Sequence, residues 1–389
     1  MRVGVLGIGK TPHKIQHNKS LRDLIVDAGR LAMDDAGIAP TDVQAFYLGN
    51  AGCTGFAFEN SVALMGADHL GLTPAPAMRV EAACGTGAWA LHLGVVAILS
   101  GLYDTVMVMG AEKMNDLATV EGTSIIAQAA DSKEEYFSGL TFPSGVALTM
   151  RKYMQVYGCT EEDLANVSVK NHHYGARNPY AHLRFECTVE DVMRSAKVAD
   201  PLKLYEVCPM TDAGSALILC REEILRDQPD REQVYITATS MGSGTWYAAS
   251  DTLDDAYDLL HTPAQKAYAM AGLTPKDMDV AEIYNSFAIQ EPLGIESLGF
   301  AKQGDGWKGA KDGSTWIDGK VGVNLSGGLL CKGPPLGATG TSQAVDVVEQ
   351  LRGTAPKDIQ RKNVSNGISA CRGGPGAVAA IHIYQRLEG

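Results

Sequence analysis

The sequence predicts an α/β protein made of two similar halves, and three observations carry that prediction. A stretch that ends a helix, turns at a proline and begins an apolar strand occurs twice, at 35–43 and 270–278. A Thr-Gly helix start closed by a glycine stop also occurs twice, in the same order. Short apolar runs alternate with helical patterns through both halves, as α/β architecture requires. Two echoes in one order point to a duplicated unit.

Taken in order, Met1-Arg2-Val3-Gly4-Val5-Leu6-Gly7-Ile8-Gly9 reads as a core strand. A helix ends at Asp35-Ala36-Gly37, Pro40 turns the chain, and Ala45-Phe46-Tyr47-Leu48 is apolar and extended. An apolar-periodic helix over 88–100 stops at Gly101, and a buried strand follows over 104–110. Between Met114 and about Lys203 the pattern loosens and Gly, Pro, Asn and Tyr become frequent, which reads as an inserted loop domain at about 115–203. Asp200-Pro201-Leu202-Lys203-Leu204 leads back to a core strand at 215–219. The second half opens with Tyr235-Ile236-Thr237-Ala238-Thr239. Its helix ends at Ala271-Gly272, Pro275 turns the chain, and the strand Val280-Ala281-Glu282-Ile283 follows. Residues 304–319, rich in Gly and Lys with two tryptophans, read as an exposed excursion. A helix runs from Ala338-Thr339-Gly340 to Gly353, and a strand at 378–384 nearly closes the chain. The expected domains are 1–230, with the insertion, and 231–389.

Composition narrows the function classes. At 389 residues there is room for two cores. Hydrophobic content of 45% with 20% charged residues is that of a soluble globular protein. A net charge of −12 argues against nucleic acid and anionic membranes as partners. No stretch is long enough to span a bilayer, and the N-terminus lacks a signal-peptide pattern. The eight cysteines are scattered without a CxxC pair, so neither a disulfide framework nor a zinc site is expected, and no metal. Free thiols point to the cytoplasm. One basic stretch stands out. Residues 164–185 hold Lys170, Arg177 and Arg184 with His172, His173 and His182 and no acid. It reads either as a solvated loop or as a landing site for an anion such as the phosphates of coenzyme A.

Two glycine-flanked cysteines carry the chemistry. Cys84, in Glu81-Ala82-Ala83-Cys84-Gly85-Thr86-Gly87, stands at the start of a predicted helix. Unpaired N–H groups and the helix dipole there favour the thiolate and lower its pKa. The second is Ala370-Cys371-Arg372-Gly373-Gly374-Pro375-Gly376. A lone buried cysteine would be packing, whereas two such sites point to nucleophilic acyl chemistry.

These elements resemble the thiolase superfamily over nearly the whole chain, above all its sterol-carrier-protein and archaeal-type branch. The resemblance rests on 81–87, on 201–205 with Cys208-Pro209-Met210-Thr211-Asp212-Ala213-Gly214, and on Val169-Lys170-Asn171-His172 with Asn178-Pro179-Tyr180-Ala181. It rests further on Asn324-Leu325-Ser326-Gly327-Gly328 with 332–340, and on Cys371-Arg372-Gly373-Gly374. It implies a five-layer αβαβα fold, a homodimer core, and coenzyme A as co-substrate with no permanently bound cofactor. Cys84 would carry the acyl group in cleavage of a 3-oxoacyl-CoA, and Cys371 would move the proton of the departing carbanion. The N–H groups of Cys84 and Gly373 would form the oxyanion hole. Lys170, Arg177, Arg184, Ser326 and Gly327 are the expected coenzyme A contacts.

The chain departs from the family pattern twice. Gly333-Pro334-Pro335 stands where thiolases carry Gly-His-Pro, and Tyr284-Asn285-Ser286-Phe287 where they carry His-Asp-x-Phe or Asn-Glu-x-Phe. Three readings follow. In the first, the chain is still a thiolase in which Tyr284 or Asn285 replaces the lost hydrogen bonds, acting on a bulky or aromatic acyl-CoA of β-oxidation type. A thiolase-fold aldolase would cleave a β-hydroxyacyl-CoA through tyrosine. A non-catalytic scaffold would only bind. Intact loops around both cysteines favour the first. His172, His173 and Cys331 carry little weight as substitutes for the histidine, while Met241, Trp246 and Tyr247 are acyl-pocket candidates. Atypical branch members, of which benzoylsuccinyl-CoA thiolase is one, pair with a small zinc-ribbon and OB-fold subunit. That partner is expected here on analogy alone.

Overall fold

The computed structural model describes residues 2–245 and 252–387; Trp246 and Tyr247 lie outside them. In chain order the elements are β1 (Val3–Lys10), α1 (Leu21–Ala36), β2 (Phe46–Gly49), α2 (Val62–Leu70), β3 (Ala77–Val80), α3 (Thr86–Leu99) and β4 (Thr105–Glu112). The insertion follows with α4 (Thr119–Ala127), α5 (Phe142–Tyr157), α6 (Glu161–Arg177), α7 (Val189–Arg194), β5 (Lys197–Ala199) and β6 (Leu202–Lys203). The chain returns through β7 (Ala213–Arg221) and α8 (Glu222–Arg226) to β8 (Val234–Ser243), α9 (Leu253–Ala271), β9 (Val280–Ile283), α10 (Gln290–Ser297) and α11 (Lys308–Asp312). It ends with β10 (Gly322–Val323), α12 (Gly328–Lys332), α13 (Thr339–Arg352), β11 (Asn366–Gly373) and β12 (Val378–Arg386).

The duplication is visible in the strand order. One half runs β3-β2-β4-β7-β1 and the other β10-β9-β11-β12-β8. In each, the first three strands are parallel and the last two antiparallel. The halves join where β1 meets β8, through Val3↔Ile236 and Gly4↔Tyr235. Helices α1 and α2 cover one half through Leu21, Ile25, Ala28 and Val62, and α9 and α10 cover the other through Leu259, Leu260, Ala264 and Ile295. Helices α3 and α13 pack against each other and against strands of both halves. This gives the expected layering of helix, sheet, helices, sheet and helix. The central helices nearly touch by backbone. A Cβ on Gly340 would lie 2.2 Å from Ala88 N, and one on Gly87 2.5 Å from Gly337 O. Only glycine permits that approach.

The repeated helix ends are alike in detail. Gly37, Gly272 and Gly353 all cap in the left-handed region, at φ 67°, 70° and 72°. Two expectations need correction. The insertion is largely helical, because Thr160 and Thr188 form capping boxes and α6 buries Leu164, Val167 and Tyr174 despite its polar sequence. The stretch 304–319 is anchored, with Trp307 packed on the core under α5 and Trp316 on the central core. Among the described residues no helix is long and apolar enough to cross a membrane.

Candidate active site

Cys84 sits in a tight turn between β3 and α3, one residue before the helix cap Gly85. Ala83 is held at φ 48°, a conformation that costs a non-glycine residue on the order of 1 kcal/mol or more. Thr86 staples the turn: its hydroxyl accepts from Ala82 N at 2.8 Å and donates to Ala83 O at 2.6 Å. Glu81 accepts from Ala83 N at 2.6 Å. The strain aims Cys84 at the loops of the other half.

Those loops meet it closely. Cys371, at the end of β11, lies with its sulfur 3.7 Å from Cys84 O. A Cβ on Gly373 would be 2.5 Å from Gly85 N and 2.9 Å from Cys84 N, so a side chain there would strike the nucleophile turn. The Gly374 N–H and the Tyr284 hydroxyl both hydrogen-bond the Cys84 sulfur. Tyr284 N donates to Ala370 O at 2.8 Å, which registers the tyrosine against β11.

The electrostatics correct one expectation. Cys84 is pushed up from the ordinary thiol value, not down, because it is buried. The bonds from Tyr284 and Gly374 oppose that shift. Burial also raises Cys371, with Cys84 adding to the effect, and holds Tyr284 well above the usual phenol range. Tyr284 is therefore a protonated donor at any working pH. Behind the site, the buried Glu112 accepts from Ala51 N at 2.8 Å, Gly52 N at 3.2 Å and Gly337 N at 2.9 Å. It thereby ties loops of both halves. Desolvation lifts its pKa to about 7, against those N–H bonds.

A cavity of about 420 Å³ opens on this constellation, lined by Cys84, Tyr284, Gly373 and Pro334 and walled by Met114, Ile126, Phe142 and Phe287. Its rim is apolar, with Ile15 45%, Val198 42% and Leu204 50% exposed. A second cavity of about 260 Å³ reaches Cys84 from the side of Ala51, Arg79 and Gln128.

Several expected site residues serve elsewhere. Asn285 is buried in a polar knot: its amide donates to Asn171 and Glu291 at 3.0 and 2.9 Å and accepts from Leu329 N at 2.7 Å. It faces the α6 side, and Tyr284 alone of the pair lines the cavity. Lys170 is fully buried, paired with Glu291 at 2.5 Å and donating to Val323 O at 3.0 Å, so it offers nothing to a phosphate in solvent. Arg177 is half-buried against His173 O and the Glu186 carboxylate. Ser326 donates to Glu282 at 2.8 Å, and Gly327, at φ 90°, packs against Gly175. Arg184 is exposed and lines neither cavity. His172 packs at a tilt on Phe185 with ring centroids 4.5 Å apart, and Cys331 packs on Gly175.

Sequence reasoning missed Cys208 and Glu112, and named His182 only within the basic stretch 164–185. Cys208 lines the cavity as a third thiol, pushed up to about 12 by burial and by Cys84. His182 lines it too, lowered by burial with Asp212 opposing. Glu112, an acid closing an otherwise apolar strand, was the one with a readable signal.

The comparisons agree with this arrangement. The model for the thiolase N-terminal domain matches residues 5–223, and the model described as thiolase C-terminal domain-like matches 244–386. An acetyl-CoA acetyltransferase of Methanothermobacter thermautotrophicus is 43% identical over 385 residues, covering 99% of each chain. The benzoylsuccinyl-CoA thiolase subunit BbsB of Thauera aromatica is 31% identical over 362 residues, 91% of this chain and 90% of that one. Among solved structures, the Ltp2-ChsH2(DUF35) aldolase matches with a TM-score of 0.87 and 25% identity over 99% of this chain and 98% of that one.

Proposed function

The chain belongs to the thiolase family and is a thiolase-type acyltransferase, and from that premise we propose that it cleaves a 3-oxoacyl-CoA with coenzyme A through an acyl group on Cys84. The observation that carries this reading is the convergence of the Tyr284 hydroxyl and the Gly374 N–H on the Cys84 sulfur, with Cys371 across the same turn. The Cys84 thiolate attacks the 3-oxo carbon, and the N–H groups of Cys84 and Gly373 stabilise the oxyanion. The bond between C2 and C3 then breaks, and Cys371 gives its proton to the acetyl-CoA carbanion. Free coenzyme A gives its thiol proton to the Cys371 thiolate, takes the acyl group and releases Cys84 as the thiolate that attacked. Tyr284 takes the hydrogen-bonding part of the histidine that Pro334 replaces, since a buried phenol donates where a proline cannot. The apolar cavity supports a bulky acyl group.

Intact-protein mass after exposure to 3-oxoacyl-CoA thioesters tests the reading. An added acyl mass that maps to Cys84 supports it, and a protein that turns over its substrate without ever gaining that mass overturns it.

A second reading is favoured by Tyr284 together with the likeness to an aldolase. Here the tyrosine would move the proton in retro-aldol cleavage of a β-hydroxyacyl-CoA, with no acyl-cysteine. The two readings separate on variants: Cys84→Ala abolishes thiolysis but leaves an aldolase nearly intact. Either chemistry fits a homodimer core joined by a small zinc-ribbon and OB-fold subunit. Support for that partner is the naming of two relatives as parts of assemblies. Co-expression with such a subunit, followed by mass measurement of the complex, tests it.

A further inference from the structure

The segment that leaves β9 alternates. Tyr284 and Ser286 both line the large cavity, and Asn285 between them turns away into its polar knot. Ser286 is buried, and its backbone is pinned on the side of the insertion. Cys208 N donates to Ser286 O at 2.9 Å, Phe287 bridges to Val207, and Ala288 N donates to Glu206 O at 2.9 Å. The Ser286 hydroxyl has two partners, the Tyr284 hydroxyl and, at 3.0 Å, the Gln290 amide oxygen.

The directions of these bonds follow from chemistry. Phe287 N donates to Gln290 Oε1 at 3.1 Å, and a backbone N–H can only donate, so that oxygen is a fixed acceptor. It keeps this bond whether or not Ser286 also donates to it. The Ser286 proton can therefore point to Gln290 or to Tyr284. Tyr284 in turn has one proton and two partners, the Cys84 sulfur and Ser286. Two complete arrangements result. With Cys84 as the thiol, its S–H donates to Tyr284, Tyr284 O–H to Ser286, and Ser286 O–H to Gln290. With Cys84 as the thiolate the chain reverses. Ser286 O–H donates to Tyr284, Tyr284 O–H donates to the sulfur, and Gln290 keeps Phe287 N. No buried hydroxyl is orphaned in either state, and the donor facing the thiolate is polarised by a second hydroxyl.

We propose that Ser286, anchored by Gln290, is the positioning residue for Tyr284, turning its hydroxyl between acceptor and donor as Cys84 passes between thiol and thiolate. This rests on the role given above to Tyr284 in the thiolase reading, and it explains how one phenol serves both forms of the nucleophile. Ser286 acts through the tyrosine and not on the substrate.

The test is a double-mutant cycle on the full chain, read by thiolysis and by alkylation of Cys84 with iodoacetamide across pH. Ser286→Ala is expected to lower kcat by about 5- to 10-fold with little change in KM, the scale of one neutral hydrogen bond. It should also move the alkylation limb toward alkaline pH. The thiolate loses its reinforced donor, whereas the thiol form can leave Tyr284 donating to sulfur. In a Tyr284→Phe background, the same substitution should change kcat by less than about 2-fold and leave the limb in place. Ser286→Cys keeps the volume with a weaker donor and should fall between serine and alanine; it carries the cycle if the alanine variant fails to fold. The other titratable groups facing the pair, Cys208, Cys371 and Glu112, are the same in every variant. Losses that add in the double variant overturn the relay, because Ser286 would then act without the tyrosine. Wild-type kcat and limb in Ser286→Ala overturn it as well. Alkylation needs no thioester, so the two inferences fail separately. A protein that turns over substrate without gaining an acyl mass removes the thiolase reading, while the coupling of Ser286 to Tyr284 at the sulfur is decided by the limb.

Discussion

The two central helices, α3 and α13, occupy matching places in the two halves and begin with the same Thr-Gly pair, and both feed one apolar core, but α13 also buries a row of polar side chains. Helix α3 buries Ala88, Ala90, Leu91, Val95 and Ile98 and presents a nucleophile just ahead of its start. Helix α13 buries Thr341, Ser342, Gln343 and Asp346, and the turn before it holds two prolines. Its polar groups reach segments of both halves. Thr341 meets Ser215 at 2.6 Å, Ser342 meets His13 at 3.0 Å, and Gln343 donates to Glu282 O at 3.1 Å. Asp346 takes Lys10 at 2.8 Å and Lys332 as well. One copy of the duplicated element keeps the reacting atom, and the other bolts the halves together around it. Duplication supplies the frame twice, and the chemistry needs only one nucleophile.

Breaking the first copy should have the largest effect. Cys84→Ser is expected to lower thiolysis by about 1,000-fold or more while leaving the circular dichroism spectrum unchanged. A fully active Cys84→Ser would overturn both the mechanism and the division of labour between the helices.

Breaking the second copy should appear in stability before activity. Asp346→Ala strands Lys332 in the interior and leaves Lys10 with Glu349 alone, which costs about 3–5 kcal/mol. Urea unfolding should register that loss. A variant within about 0.5 kcal/mol of the wild type would mean that α13 is not the bolt described above.

Between these lies Tyr284, supplied by the second half to the nucleophile of the first. Tyr284→Phe is expected to remove about 2–4 kcal/mol of transition-state stabilisation, seen as a fall in kcat with little change in KM. Unchanged turnover on thiolysis and retro-aldol substrates alike would reduce the tyrosine to packing.

Cys371→Ala sharpens the comparison further. It should still become acylated from a simple acyl-CoA, and it should cease to exchange the α-protons of the acyl-CoA product with deuterated water. Continued exchange would remove Cys371 from the proton path.

The smallest effect is on pH. Burial holds the Cys84 thiol above its ordinary value, so its thiolate form is scarce at neutral pH and grows as pH rises past the usual thiol range. Alkylation of Cys84 by iodoacetamide should rise along that limb. Loss of the Tyr284 donor disfavours the anion, so Tyr284→Phe should move the limb further toward alkaline pH, by about one unit for each 1.4 kcal/mol the bond contributes. A limb that stays in place separates the tyrosine from the sulfur.

Much of this molecule was legible before folding because it is written locally. Glycine stops at Gly37, Gly272 and Gly353, proline turns at Pro40 and Pro275, and the two glycine-flanked cysteines are short-range signals with short-range causes. The duplication could be read because both copies keep those signals in order. Lys170, Arg177 and Ser326 could not be placed that way. A basic or hydroxyl side chain looks the same in sequence whether it meets solvent or a buried carboxylate. Glu291, 121 residues from Lys170 in sequence, and Glu282 decide the matter only once the chain is packed. Asn285 and Tyr284 are neighbours in sequence, yet one entered a polar knot and the other the cavity, because the chain leaving β9 turns them to opposite sides. The thiol of Cys84 is the last instance. Its place beside a helix start was local and readable, but its pKa follows from how completely the two halves close over it, and only the tertiary structure decides that.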